Sequence, residues 1–245
     1  GSHYNSVLRS TVTGQGGGCA ALKIFGGTEN LFDQLYLWSP GGPAVWGDTF
    51  MGQNLGNSVR RSTAVSSGGM EPAIFLQYAE RFILADSWVD APNGALGASG
   101  GWLSVIRSTL TAGQPGATAL SKDQSSSFDE HDLVSRSYLR ASIAAAISNL
   151  SGFEVSESTL VASDGPGLSL IAVDSATVSD SLIRGSTAAL IDQSSNVAWR
   201  LARLTGTAAG LFTTEGSGSL TLASTTVGAD TKEAVSIELR APAPH

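Results

Sequence analysis

An eight-residue pattern recurs along almost the whole chain: apolar, any, apolar, any, any, serine, any, apolar. It reads Leu103-Ser104-Val105-Ile106-Arg107-Ser108-Thr109-Leu110, and returns over Phe153–Leu160 and Ala176–Ile183. Its sixth position defines a column: Ser10, Leu35, Ser62, Ser87, Ser108, Ser137, Ser158, Ser181, Ala202, Thr225. Successive members lie 25, 27, 25, 21, 29, 21, 23, 21 and 23 residues apart, and seven of the ten are serine. A repeat of this period points to stacked supersecondary units, each too small to bury a face alone.

After each motif comes a Gly-rich turn and a second apolar stretch, as at Ala20–Ile24, Ala73–Leu76, Ala117–Leu120, Leu168–Val173, Ala188–Ile191 and Ala234–Leu239. Each unit therefore holds two or three short strands of period two, joined by tight corners. Stacking equivalent strands in register buries a common core. The prediction is an all-β chain, a right-handed parallel β-helix solenoid of about ten coils with a mean period of about 24 residues. A leucine-rich repeat has a similar period, but its Leu-x-x-Leu-x-Leu and Asn signature is absent. Composition agrees: 42% of residues are apolar, only 14% are charged, and there are 29 glycines, which suits flat walls and tight corners rather than long surface helices.

The serine column reads as structural. A small polar side chain at an inward corner can bond to its neighbour in the next coil and to corner backbone groups that the strand ladder leaves unpaired. No Gly-x-Ser-x-Gly elbow falls on a strand-to-helix turn. Of three histidines, only His131 lies away from the termini.

With the column as position zero, positions −5, −3, 0 and +2 point inward and +1 and +3 outward. Position +1 reads Thr11, Tyr36, Thr63, Trp88, Thr109, Tyr138, Thr159, Leu182, Arg203, Thr226. Position +3 reads Thr13, Trp38, Val65, Asp90, Thr111, Arg140, Val161, Arg184, Thr205, Gly228. Coils lie ~4.8 Å apart, so Tyr36, Trp88 and Tyr138 are expected at intervals of roughly 9–10 Å, about one disaccharide. Such aromatics can stack on sugar faces while Arg140, Arg184 and Arg203 bind carboxylates; Trp38 joins them as a ligand-binding candidate. The same row is equally what β propensity alone would select. Position −1 is charged in most coils, with Arg61–Asp86–Arg107 and Arg136–Glu157 placed to pair between coils, a solvated ladder.

Outside these rows the sequence offers less. Lys122–Asp132 is the longest insertion and holds Asp123, Asp129, Glu130, His131 and Asp132. Asp129, Glu130 and Asp132 are the metal-ligand candidates, and Ca²⁺ is the one cofactor such a loop could take; the spacing matches no EF-hand or zinc motif. Trp46 and Asp48, with Phe75 and Tyr78, fall on another exposed strand face and could form a second apolar groove. Cys19, the single cysteine, sits in an apolar run and reads as a small core residue. A net charge of −7 without basic runs disfavours nucleic acid and anionic membranes as partners, and no apolar run reaches the length of a membrane span.

The coil pattern resembles the right-handed parallel β-helix repeat family with the pectate-lyase-like fold, from about Asn5 to Leu239. That superfamily includes polysaccharide lyases, polygalacturonase-type hydrolases, alginate epimerases, phage tailspikes and non-catalytic surface proteins. The resemblance implies the fold and leaves activity open. It implies aspartates and a Gly-His-Gly segment in a polygalacturonase-like site, and neither is found. Asp90 with Arg140 and Arg184 is the nearest match to a lyase-like set, and with Tyr138 these are the catalytic candidates. Phe128-Asp129-Glu130-His131 resembles the Asp-Pro-His motif of alginate epimerases without its proline.

The expectation is thus one solenoid domain over residues 5–240, preceded by a tag remnant or leader over 1–4 and followed by a linker or tail over 241–245. The chain is expected to be part of a larger exported protein, extracellular or at the cell surface, partnered by its other domains. Its expected role is structural or glycan-binding, along the exposed strand face, toward a polysaccharide or cell-surface glycan. The alternatives are a polysaccharide lyase or epimerase acting on an acidic polysaccharide, and a phage tailspike or adhesin shaft. The balance of signatures leans away from an enzyme.

Overall fold

The structure is a computed structural model and describes residues 4–48, 56–78, 81–123, 132–214, 216–231 and 234–237. Among the described residues all regular elements are strands, and every strand pairing is parallel. The chain is a right-handed parallel β-helix. The first wall is a sheet of ten strands, from Ser6–Leu8 to Leu220–Ala223, each one coil beyond the last. The second and third walls follow the serine column within each coil. In the eighth and ninth coils they run together as the 11-residue strands Leu182–Asp192 and Arg203–Thr213, so the two walls count as one 18-stranded sheet. The register between those long strands slips between Gly185 and Thr187, which marks the corner that has been smoothed away.

The alternation of each strand sets the core. Val59, Leu84, Val105, Val134, Val155, Val178 and Trp199 point inward from the first wall. Leu37, Ala64, Val89, Leu110, Leu139, Leu160, Ile183 and Leu204 do so from the second. Parallel in-register stacking places like on like, so each column forms one apolar stack along the solenoid, aliphatic except at Phe32 and Trp199 in the first wall.

The corner between the first and second walls is two residues, a left-handed one followed by the member of the serine column. At all ten column-minus-one positions the backbone is left-handed, with φ from 46° at Arg61 and Arg107 to 56° at Gln34. None of the ten is glycine, although such a φ costs an L-residue roughly 1–2 kcal/mol. The serine that follows offsets that cost. Ser108 Oγ accepts from the N–H of Ser87 one coil earlier (3.2 Å) and donates to the carbonyl of Ile106 across its own corner (2.9 Å). Ser62, Ser87, Ser137, Ser158 and Ser181 repeat both bonds. The expected structural ladder is present, and its rungs are hydroxyl-to-backbone bonds.

A second ladder stands at the entry to the first wall. Asn30 Oδ1 accepts from Asn5 N–H, and Asn57 Oδ1 accepts from Asn30 N–H, both at 3.0 Å. Later coils fill this column with Phe82, Leu103, Asp132 and Phe153. Asp132 keeps the asparagine geometry: its Oδ1 accepts from Leu103 N–H at 2.6 Å. Its charge is met by Lys122, an inward residue between Ala98 and Ile147 in the third wall. The insertion is therefore shorter at both ends than the sequence suggests, because the strand Thr118–Asp123 runs through Lys122 to Asp123 and Asp132 opens the strand Asp132–Ser135.

Candidate functional site

The outward rows of the second wall come together as the repeat predicts. Thr11, Tyr36, Thr63, Trp88, Thr109, Tyr138, Thr159, Leu182, Arg203 and Thr226 are successive register partners. So are Thr13, Trp38, Val65, Asp90, Thr111, Arg140, Val161, Arg184, Thr205 and Gly228. The strands that carry them are three or four residues long, except Leu182–Asp192 and Arg203–Thr213, which run on into the third wall.

The aromatic side chains are open to solvent: Tyr36 is 46% exposed, Trp88 45% and Tyr138 37%. Each sits between threonines of the adjacent coils, which are too short to hide a ring face. Trp38 is half-buried beside Tyr36, and Arg140, Arg184 and Arg203 are exposed. Asp90 is half-buried and accepts a hydrogen bond from Thr111 Oγ1 one coil on. Asp90 and Arg140, two coils apart in sequence order, line one shallow groove with Thr111, Ala112, Gly113, Ala141 and Ser163. This groove lies along the same strands as the aromatic row, two residues further on.

The charged edge beside this face is set by the corner residues. Arg107 grips Asp86 with both Nε (2.6 Å) and an Nη (2.7 Å), and Arg136 grips Glu157 in the same way. The bidentate bond from Arg107 holds the Asp86 carboxyl below its ordinary range, against the opposing effect of partial burial. Arg61 differs from expectation. It turns back to Asp33 of the preceding coil, through Nε at 2.8 Å and a second, shorter bond. Asp33 falls in the row opposite Arg60, where its carboxylate is sheltered and within reach, so Asp86 is left to Arg107.

Two further expectations change. Asp132 is no loop ligand for a metal: it is buried against Lys122 and Leu103 N–H. Asp129 and Glu130, with His131, lie outside the described residues, and among the described residues no three His, Cys, Asp or Glu side chains cluster to hold a metal ion. Cys19 is exposed rather than buried. It lies in the turn between the strands Thr11–Thr13 and Leu22–Phe25, where its carbonyl accepts from Ser39 Oγ at 2.8 Å. Among the described residues no helix is long and apolar enough to cross a membrane.

Sequence reasoning missed the asparagine column and the inward lysine. A signal existed for the first: Asn5, Asn30 and Asn57 repeat at 25 and 27 residues, the spacings of the first two serine-column steps.

Fold and surface together define a right-handed parallel β-helix with one aromatic, arginine-bearing wall. No family model and no curated protein matches the sequence. Two solved structures show a distant likeness to the chain. The A-module of the Azotobacter vinelandii mannuronan C-5 epimerase AlgE4 is 9% identical, with a TM-score of 0.49 over 99% of this chain and 90% of that one. The A-module of AlgE6 from the same organism is 9% identical, with a TM-score of 0.38 over 98% of this chain and 91% of that one.

Proposed function

We propose that this β-helix binds a polysaccharide along the outward face of its second wall. Tyr36, Trp88 and Tyr138 are the stacking platforms, Trp38 widens the first, and Arg140, Arg184 and Arg203 meet carboxylates of an acidic chain. One observation carries the reading: three large aromatic side chains recur at every second coil of one row and stay 37–46% exposed. Isolated exposed apolar residues are ordinary on a protein surface, but an aligned set at the pitch of a sugar repeat is a recognition surface. On this reading the protein works at the cell surface or in the extracellular space, where such chains are found.

The test is a glycan array with the intact chain, followed by titration of its best acidic ligand. A Tyr36→Ala/Trp88→Ala double variant is expected to bind at least about tenfold more weakly, since each lost platform is worth about 1 kcal/mol, with its melting temperature retained. An array without a single bound glycan refutes the reading.

The groove shared by Asp90 and Arg140 supports a second reading, a lyase or epimerase acting on the same acidic chain. Asp90 would take the proton beside the sugar carboxylate, Arg140 and Arg184 would hold that carboxylate, and the Tyr138 hydroxyl would give a proton to the leaving oxygen. Elimination would leave an unsaturated uronate that absorbs in the ultraviolet, whereas epimerisation would return the proton to the opposite face. Pectate, alginate and glycosaminoglycans left unchanged, with and without Ca²⁺, would reject it.

A further inference from the structure

The third wall carries an outward trough that the second-wall site does not use. Its outward row runs Lys23, Trp46, Phe75, Gly97, Ser121, Ala146 in successive coils. The first three side chains hold one another. Lys23 Nζ stands 5.3 Å from the centre of the Trp46 ring, and Trp46 meets Phe75 edge to face, with centroids 6.0 Å apart and planes at 64°. At Gly97 the row is interrupted. Pro72 and Phe75 lean over the gap, with Pro72 Cγ 2.9 Å and Phe75 Cδ2 3.8 Å from where a Cβ on Gly97 would stand.

The gap is a trough of about 340 Å³ with unlike sides. Pro72 and Phe75 form the apolar side, Thr118 and Ser121 the hydroxyl side, and Ser99 and Asp123 one end. Phe75 and Ser121 are two coils apart, so their backbones stand roughly 9–10 Å from each other. That leaves room for one pyranose ring on edge. Asp123 is already oriented: its Oδ1 accepts from Ser148 Oγ at 3.0 Å and from Asn149 Nδ2 at 2.8 Å, and Oδ2 accepts from no described residue. Among the described residues no arginine or lysine lines the trough.

We propose that this trough is a second saccharide site, built for a neutral pyranose. The C–H face of the sugar lies on Phe75, which Trp46 holds in place, and vicinal hydroxyls donate to Asp123 and bond with Ser99 and Ser121. An aromatic face opposite a carboxylate and hydroxyls matches the two-sided chemistry of an uncharged sugar. A uronate would meet Asp123 with like charge. The two walls thus have opposite preferences, arginine-rich for acidic chains and carboxylate-bearing for neutral ones, and neither site depends on the other.

The experiment is an amide-shift NMR titration of the intact chain with neutral glucose, mannose and galactose tetrasaccharides, and with tetragalacturonate. A neutral tetrasaccharide is expected to move the amides of 94–99 and 118–123. Phe75→Ala and Asp123→Asn are each expected to weaken it at least about tenfold, and Tyr36→Ala/Trp88→Ala to leave it unchanged. Binding by Phe75→Ala and Asp123→Asn equal to that of the parent overturns the proposal. So does a panel in which no neutral tetrasaccharide moves those amides, or one in which tetragalacturonate is preferred there.

Discussion

The ammonium of Lys122 lies 3.6 Å from Oδ2 of Asp132, with both side chains at most 2% exposed. Lys122 Nζ also donates to the carbonyl of Gly100 at 3.0 Å and to that of Gly101. The pair joins the strand before the longest insertion to the strand after it, so it closes the base of that insertion inside the core. Removing one partner strands the other charge, which costs about 3–5 kcal/mol. Lys122→Met and Asp132→Asn should each destabilise by that order in urea unfolding. The double variant should recover most of the loss, because the Asp132→Asn amide oxygen can still accept from Leu103 N–H as Asn57 does from Asn30. Strictly additive losses would show that the two side chains are not coupled.

The serine ladder has two gaps, at Leu35 and Ala202. Ala202 occupies the column position where a hydroxyl would accept from Ser181 N–H and donate to the carbonyl of Arg200. Ala202→Ser should add both bonds and stabilise by about 0.5–1.5 kcal/mol, while Ser108→Ala should cost about 1–3 kcal/mol because it leaves Ser87 N–H without its acceptor. Thermal unfolding of the two variants checks both signs.

Corner strain gives a third expectation. Leu201 holds φ at 52° and its side chain is 54% exposed, so it bears the left-handed penalty with little burial in return. Asparagine tolerates this region better than leucine. Leu201→Asn should raise the melting temperature, by a gain of about 0.5–1 kcal/mol, and Leu201→Val, branched at Cβ, should lower it. A melting temperature raised by the valine would contradict the corner geometry.

Acid should weaken the charged edge in a defined direction. The Asp86 carboxyl is held low by its hydrogen bonds from Arg107. A carboxyl with a depressed folded-state value contributes stability that is fully present above its unfolded value, near 3.9, and is lost as pH falls through the lower folded value. An NMR titration of the Asp86 side chain should therefore show a midpoint below that of a free aspartate. In Arg107→Gln the midpoint should move back up.

How much could be read from the chain follows from the same geometry. The column, the inward stacks and both outward rows were legible because parallel in-register stacking turns a one-dimensional period into a surface map, and a two-residue alternation assigns every face. Lys122 was not, since a lysine next to Asp123 and a polar run reads as loop; only the small Ala98 beside it in the stack, and the Gly100-Gly101 carbonyls, make an inward ammonium acceptable. The partner of Arg61 was not legible either. Sequence spacing puts Asp33 and Asp86 equally one coil away, and the choice rests on side-chain reach at a left-handed corner. The trough at Gly97 needed the leaning of Pro72 and Phe75, which no spacing records.

The serine rungs all point the same way along the axis. The hydroxyl of each coil accepts from the N–H of the coil before it, never from the one after. A chain leaving a ribosome or an export channel with its N-terminus leading would therefore end, from Leu35 to Ser158, in a corner whose N–H awaits the next hydroxyl. Six arriving coils, those of Ser62 to Ser181, supply the acceptor that the predecessor lacks, so the polarity of the rungs gives that part of the solenoid a built-in direction of assembly, from the earlier coil toward the later.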